Sequence, residues 1–393
     1  MKKYGQRTRR QMGKYAVILF FFLFFLYGMS VVRDYGISWD EATERNSCLI
    51  NLGYIFPQAR EIVTDTVNYN GLPLLSEYKY RYYGVAGQFP AILAEYLYQF
   101  RFNYQQVYLL RHMYTFCVFF TACIFFYLLC RQLTRRRSFS LLAVFLLVIS
   151  PRILADSFYN IKDLLFLSFF VIALYFGLLL IRRQNWPRLL AFGFFGGLCT
   201  NVRIVGAITV VCCVLAMAWR LRGQWRKKWG WFIGAGLLSF LFFMAFTPIV
   251  WQNPIEGIRG ILETFSSYTS YTQSIYFMGS YPSSDQLPWY YLPVWILATT
   301  PLICLLLMAA GAVYWIGGLP RRMRGLRTDR RTLRPDEAAE AGTTAERLFL
   351  AGNLLLPLLY VLLFRPVLYN GWRHFYFIYP LLILAALYGM IHL

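Results

Sequence analysis

"LLAFGFFGGLCTNVRIVGAITVVCCVLAMAW", Leu189–Trp219, can be read as one membrane helix or as two, and the choice sets the topology of everything around it. As a single crossing it places "IRRQNWPR" (Ile181–Arg188) and "RLRGQWRKKW" (Arg220–Trp229) on opposite sides of the bilayer. Basic loops stay on the cytoplasmic side, so the two flanks have to share a side. The polar break "CTNVR" (Cys199–Arg203) is where an apolar stretch can turn. Two short helices meeting near the outer face are therefore expected.

Composition sets the frame for that threading. Of the 393 residues, 58% are hydrophobic and 19% aromatic, and the mean hydropathy is +0.46, as in a polytopic membrane protein. The formal net charge of +21 would suggest nucleic acid in a water-soluble chain. Here the basic residues cluster between apolar runs, at Lys2–Lys14, Arg131–Arg137, Arg182–Arg188, Arg220–Lys228 and Arg321–Arg334. That is loop charge, and nucleic acid is excluded as a partner. Cys117, Cys123, Cys130, Cys199, Cys212, Cys213 and Cys304 lie in apolar runs and only Cys48 in a polar one. With no CxxC and no Cys/His cluster, neither a disulfide framework nor a structural zinc site is indicated. The run Tyr15–Val32 follows a basic tail, is long enough to span and lacks a small-residue cleavage site, so it reads as a retained first helix.

The predicted fold is all-α and polytopic, with about ten transmembrane helices. A cytoplasmic basic tail (1–14) leads to a transmembrane module (15–252) that includes a long outer loop, 34–106. The helices of this module are expected at about 15–33, 107–130, 139–155 and 164–181, as the two halves of 189–219, and at about 230–251. A second outer loop (253–290) precedes a C-terminal transmembrane group (291–393), with helices at about 291–316, 347–364 and 375–391 and a cytoplasmic linker at 317–346. In the first outer loop, "DEATERNSCLINLGYIF" and "FPAILAEYLYQF" mix apolar and polar residues at helical spacing. Amphipathic helices in the interface, walling a cavity, are expected there. No internal repeat is apparent.

This threading, built on basic loops alone, sends the unusual charges near helix ends to one side: Asp34, Asp40, Glu41, Arg111, His112, Arg152, Asp156, Lys162, Asp163, Arg203, Arg365, Arg373 and His374. Charges at membrane depth are costly, so their convergence suggests a site. Ser38 and Glu41 form an S-x-x-E capping box, which suits Glu41 to the cap and leaves Asp40 facing outward. "SPRILADSFYNIKD" (Ser150–Asp163) packs Arg152, Asp156, Asn160, Lys162 and Asp163 into a short link. Those charges either pair with one another or let Lys162 hold a phosphate while Asp156 or Asp163 orients another polar group. Arg203 is a snorkelling anchor or a phosphate ligand. In "YNGWRHFYFIYP" (Tyr369–Pro380), Arg373 and His374 suit a phosphate head group or an interfacial belt. Arg111 and His112 read as structural.

"WDE" (Trp39–Glu41) after a first helix, the long outer loop, then "SPRILADSFYNIKD" and a late "YNGWRHFYFIYP" resemble the GT-C superfamily of membrane glycosyltransferases. The likeness is closest to the branch of protein O-mannosyltransferases and the aminoarabinose transferase of lipid A. It covers about 15–250, and Arg365–Pro380 more locally. It implies a polyprenyl-phosphate sugar donor, inverting transfer outside the cytoplasmic membrane, and a base from the first outer loop, which falls on Asp40. Members of that branch generally need no metal; no cofactor is expected, and a divalent metal stays open. The part after the seventh helix is shorter than in the longest relatives and carries no soluble C-terminal domain, so the resemblance names no acceptor: glycan, lipid and protein all remain.

The inventory of residues fits that chemistry. Sugar transfer from a lipid phosphate to a hydroxyl needs a base near the acceptor, cations near the departing phosphate and alignment of the two. It needs no strong general acid, because phosphate leaves as a stable anion. Asp40 is the expected base with Glu41 beside it, and Asp163 is a second acid for positioning the acceptor. Lys162, Arg203, Arg373 and His374 are the expected phosphate ligands, with Arg152, Asp156, Asn160 and Arg365 as further candidates. The rival reading is a flippase or transporter of a lipid-linked sugar. Alternating access would leave polar residues at the bilayer midplane, whereas the cytoplasmic halves of these helices are almost purely apolar.

Overall fold

The computed structural model describes residues 2–66, 72–266, 272–317 and 335–392. The chain is an all-α polytopic membrane protein. Among the described residues, the only β-type pairing is two isolated bridges, Ser274 with Ser283 and Phe277 with Ser280. Among the described residues, five helical stretches are long and apolar enough to cross a membrane: Gln11–Asp34, Tyr104–Thr134, Asp163–Arg182, Arg222–Ala245 and Thr344–Phe364. Shorter apolar helices lie at Ile204–Arg220, Leu302–Val313 and Arg373–Leu387.

The centre of the bundle is α8 (Asp163–Arg182). Of its apolar window 83% is buried, against 17% for the window in α1 (Lys2–Val31). A helix apolar all round has to be surrounded. α8 packs against α5 (Tyr104–Thr134), α9 (Trp186–Val202) and α10 (Ala207–Arg220), and α9 packs in turn against α11 (Trp225–Ala245). α1 lies outside, with Phe21, Phe24 and Phe25 against Phe116, Phe120 and Tyr127 of α5. Twenty residues make α8 about 30 Å long, so its first residue Asp163 and its last, Arg182, sit at opposite ends of the bundle. At the far end Arg182 makes a two-pronged ion pair with Glu346, 2.8 and 2.7 Å, and bonds Gln132.

The break expected in Leu189–Trp219 falls at Arg203, whose backbone is extended between α9 and a 3₁₀ turn, Ile204–Gly206. The fold-back is tight: a Cβ on Gly206 would lie 2.7 Å from the Cys199 carbonyl oxygen. Two other expected helices are broken where one was expected. The stretch 139–155 divides into α6 (Arg137–Val148) and α7 (Pro151–Tyr159), bent by 71°. Pro151 drives Ser150 to an extended conformation and then sits comfortably in the first turn of α7. In the same way Pro301 divides 291–316 into α13 (Tyr291–Thr299) and α14 (Leu302–Gly317). Residues 318–334 of the expected linker lie outside the described residues. From Pro335 the backbone is helical as α15 (Pro335–Phe364), in keeping with the Ala and Glu of "PDEAAEAGTTAERL". The last helix, α16 (Tyr379–His392), packs on α14.

The long first loop folds into α2 (Glu41–Ile55), α3 (Pro57–Thr66) and α4 (Phe89–Leu97) around a small core of its own, including Cys48, Leu49, Leu52, Leu75, Val85 and Ile92. Asn201, in the polar break, clamps this unit to the bundle. Its Oδ1 accepts from the Ala86 N–H at 3.1 Å, and its Nδ2 donates to the Phe246 carbonyl at 2.9 Å and to Thr247 Oγ1 at 3.0 Å. Gly84 lets the two backbones meet, since a Cβ there would stand 1.9 Å from the Asn201 carbonyl oxygen. Gly84→Ala is expected to destabilise the protein by at least ~1–3 kcal/mol, read as a lower melting temperature in detergent. Gly36→Ala, with nothing within 4 Å of the added Cβ, should leave the melting temperature unchanged.

Candidate active site

The helix that carries the acidic pair starts at a fixed place because Glu41 caps it. Its Oε2 accepts from the Ser38 N–H at 2.7 Å, while Oε1 lies 3.0 Å from His112 Nε2 of α5. Glu41 is buried by these contacts. Asp40 makes no capping bond, and its side chain is 40% exposed. Only the Glu41 half of the expected capping box forms, since Ser38 Oγ bonds the Tyr159 carbonyl instead, and Asp40 faces the cleft and Arg373.

Asp40 opens onto a cleft of about 200 Å³ lined by Ser38 to Glu41 and Glu44 of one wall, by Arg152, Asp156 and Tyr159 to Lys162 of another, and by Asn370 and Arg373. The bend before Pro151 swings α7 across the end of the bundle and brings its Arg152 and Asp156 into this cleft. Of the expected phosphate ligands, Lys162 and Arg373 line this cleft while Arg203 and His374 do not, and the three cations are paired with carboxylates. Arg373 Nη1 reaches Asp40 Oδ2 at 2.5 Å, Lys162 Nζ reaches Glu44 Oε1 at 2.6 Å, and Arg203 bonds Asp163. Asp163 is buried, with Asn160 Nδ2 at 3.2 Å and Arg373 Nε at 3.7 Å from its second oxygen. Asn160 in turn accepts from the Asp163 N–H at 2.9 Å and so fixes the start of α8.

The Arg373 guanidinium lies over the Tyr369 ring, 4.9 Å from its centroid, and the His374 ring packs edge-on against the same tyrosine. Among the described residues, Arg203 Nε, Arg373 Nε and His374 Nδ1 have no hydrogen-bond partner. Arg152 donates to Tyr376 Oη and, at 2.7 Å, to the Asn370 carbonyl, while Asp156 accepts from the hydroxyls of Tyr376 and Tyr159. Arg365 stands apart. It is exposed at the end of α15 in a left-handed conformation and does not line the cleft. Among the described residues no group of three or more His, Cys, Asp or Glu side chains is arranged to hold a metal ion.

Sequence reasoning passed over the tier beneath. Gln88 donates to Glu44 Oε2 at 2.6 Å and accepts from Arg111 Nη2 at 2.8 Å. Glu95 of α4, fully buried, takes Arg45 on one oxygen at 2.9 and 2.7 Å and faces Arg111 at 3.8 Å with the other. A signal was present: Glu41, Glu44, Arg45 and Cys48 recur at helical spacing on the face that also carries Leu49 and Leu52. Burial raises the proton affinity of Glu44, but Lys162 and the Gln88 amide outweigh it and hold the carboxyl below its ordinary value. Stability from this pair is full above the unfolded-state value and is lost as pH falls through the depressed one, so it is intact at neutral pH.

Residues 90–251 match the dolichyl-phosphate-mannose-protein mannosyltransferase family. This supports the resemblance to GT-C membrane glycosyltransferases of the mannosyltransferase type, and the family indicates a glycosyltransferase. The matched span takes in Arg152, Asp156, Asn160, Lys162, Asp163 and Arg203; Asp40, Glu41, Arg373 and His374 lie outside it. No curated protein and no solved structure matches the chain.

Glu95→Gln removes the one carboxylate shared by two buried guanidinium groups. It is expected to destabilise by ~3–5 kcal/mol, seen as a large fall in melting temperature or loss of folded protein. Breaking the exposed Arg259–Glu263 pair on α12 (Pro254–Ser266) with Glu263→Gln should leave the melting temperature within error.

Proposed function

We propose that the chain is an inverting glycosyltransferase that moves a sugar from a polyprenyl-phosphate donor to an acceptor hydroxyl on the outer face of the cytoplasmic membrane. The observation that carries this reading is one cleft lined by a half-exposed carboxylate, Asp40, and two cations, Lys162 and Arg373, with Arg203 joined to Arg373 through the buried Asp163 that both face. The outer face follows from the positive-inside rule: the cleft lies at one end of α8, and the basic stretches Arg131–Arg137 and Arg182–Arg188 lie at the other.

The step is a single displacement. The acceptor oxygen bonds to the anomeric carbon, its proton passes to Asp40, and the bond from that carbon to the phosphate oxygen breaks with its electron pair leaving on the phosphate. A phosphodiester anion thereby becomes a phosphomonoester carrying one more negative charge. Arg373, Lys162 and Arg203 stabilise that charge as it develops, with His374 beside them. One displacement inverts the anomeric centre; retention would need a second carboxylate as nucleophile. Asp156 is tied to two phenols and Glu41 to its cap and His112, which leaves Asp40 for the base. The transporter reading finds no support in α8, whose stretch "LLFLSFFVIALYFGLLLI" carries no charge between Asp163 and Arg182.

The donor named by the matching family is mannose on dolichyl phosphate, and a polyprenyl-phosphate mannose is the first to try. The test is transfer of radiolabelled sugar in membranes carrying equal amounts of wild type, Asp40→Asn and Glu41→Gln. Wild type should transfer; Asp40→Asn should lose about 10²–10⁴-fold, the usual size of a general-base contribution, and Glu41→Gln should stay within a few-fold of wild type. Equal transfer by all three would remove Asp40 from the chemistry.

A further inference from the structure

The three ion pairs of the cleft are not equivalent, and the difference bears on how the proposed transferase orders its substrates. Glu44 has a second tie to Gln88, and Asp163 a second tie to Asn160, with side-chain exposures of 11% and 3%. Asp40 has 40% exposure, makes no capping bond, and is held by Arg373. The same guanidinium lies over Tyr369 and faces Asp163 with its Nε at 3.7 Å, so it is anchored independently of Asp40, and that Nε makes no hydrogen bond. A carboxylate locked against a guanidinium is a poor base, because the guanidinium occupies an oxygen that a hydroxyl proton needs. A phosphate offers Arg373 a two-pronged partner of higher charge density than a single carboxylate oxygen.

From these contacts we infer that Arg373 couples the two substrates. It holds Asp40 until a lipid phosphate claims its guanidinium, and Asp40 is then released to take the acceptor proton. The inference rests on the transferase reading above and adds an order to it: donor first, acceptor second. Of the three carboxylates, Asp40 is the one that can yield, since it returns to a partly solvated position while the other two would be stranded in buried ones. The arrangement also guards the donor. Without a lipid phosphate on Arg373, Asp40 is not available to deprotonate a hydroxyl or water; with it, the base comes free beside an anomeric carbon already in place.

The experiment measures binding of a polyprenyl phosphate carrying no sugar, by titration calorimetry of the full chain in lipid nanodiscs. Wild type, Asp40→Asn, Arg373→Gln and the double variant are compared. If the lipid phosphate has to displace Asp40, Asp40→Asn should bind it about three- to tenfold more tightly than wild type, a change the size of one net hydrogen bond. Simple removal of a negative charge would also tighten binding, but it would do so whether or not Arg373 is present. The gain should therefore vanish in the Arg373→Gln background, where the double and single variants bind alike or neither binds. An unchanged or weaker affinity in Asp40→Asn, or an equal gain without Arg373, overturns the exchange.

Should Arg373→Gln not fold, hydrogen exchange decides. Amides 39–44 of wild type exchanging faster with the lipid phosphate present supports the release of Asp40, and unchanged exchange overturns it. The assay contains no sugar and no acceptor, so its outcome separates from that of the transfer test. Loss of transfer in Asp40→Asn with unchanged affinity removes the exchange and keeps the transferase, whereas no binding by any form, wild type included, removes the proposed donor and the exchange with it.

Discussion

Taking a charge out of water costs several kcal/mol unless a partner comes with it, and the cleft end of this protein is organised around that cost. The sequence "DEATER" (Asp40–Arg45) sends three charged side chains inward from α2, and each finds its partner on another element. Glu41 meets His112 of α5, Glu44 meets Lys162 before α8, and Arg45 meets Glu95 of α4. These contacts fix where α2 stands. Asp40, at the head of the same helix, inherits that position with no contact of its own to the layer beneath. The buried charges are thus the scaffold, and the exposed one is left for the base role proposed for it.

The same constraint explains what the sequence disclosed and what it withheld. Apolar runs and basic loops were enough to expect ten helices, because lipid leaves the backbone few alternatives to helix. The break at Arg203 was legible for the same reason, as no other turn kept the flanking arginines together. The bends at Ser150 and Thr300 were written in the prolines that follow them, yet hydropathy averages over such positions and merges two helices into one. At the site, Asp40, Lys162, Asp163, Arg203 and Arg373 stood out individually because each interrupts an apolar pattern. Which cation belongs to which carboxylate was not legible: Arg203–Asp163 and Arg373–Asp40 join positions 40 and 333 residues apart, and only the folded chain pairs them. Arg365 shows the opposite error. It lies in the same apparent cluster by sequence, but its left-handed turn at the end of α15 leaves it exposed and outside the cleft.

Asn201 shows how one polar residue in an apolar stretch can serve packing rather than chemistry. Its amide satisfies part-buried backbone groups at two helix boundaries, near Ala86 and near Phe246. Two residues on, Arg203 uses the same break to reach Asp163. The polar interruption therefore also joins the first-loop helical unit to the bundle and, through Asp163, supports Arg373 of the cleft. A change at either residue would be felt at both places, which makes the break a poor site for separating folding from activity.

The pairing of each cation proposed to hold phosphate with a carboxylate looks at first unsuited to binding an anion. On the proposed mechanism it becomes useful at the moment of reaction. Lys162, Arg203 and Arg373 balance Glu44, Asp163 and Asp40. When the acceptor proton arrives on Asp40, that carboxylate loses its charge, and the cation set is left in excess by one. In the same step the departing phosphate gains one negative charge. The cleft thus becomes more positive when, and only because, the phosphate becomes more negative, so the added stabilisation belongs to the transition state rather than to the bound donor. A permanently unbalanced cluster of cations would hold the donor tightly before the reaction and the lipid phosphate just as tightly after it. Coupling the charge of the base to the charge of the leaving group avoids both, and it requires the base to stand beside the phosphate ligands, where Asp40 and Arg373 are found.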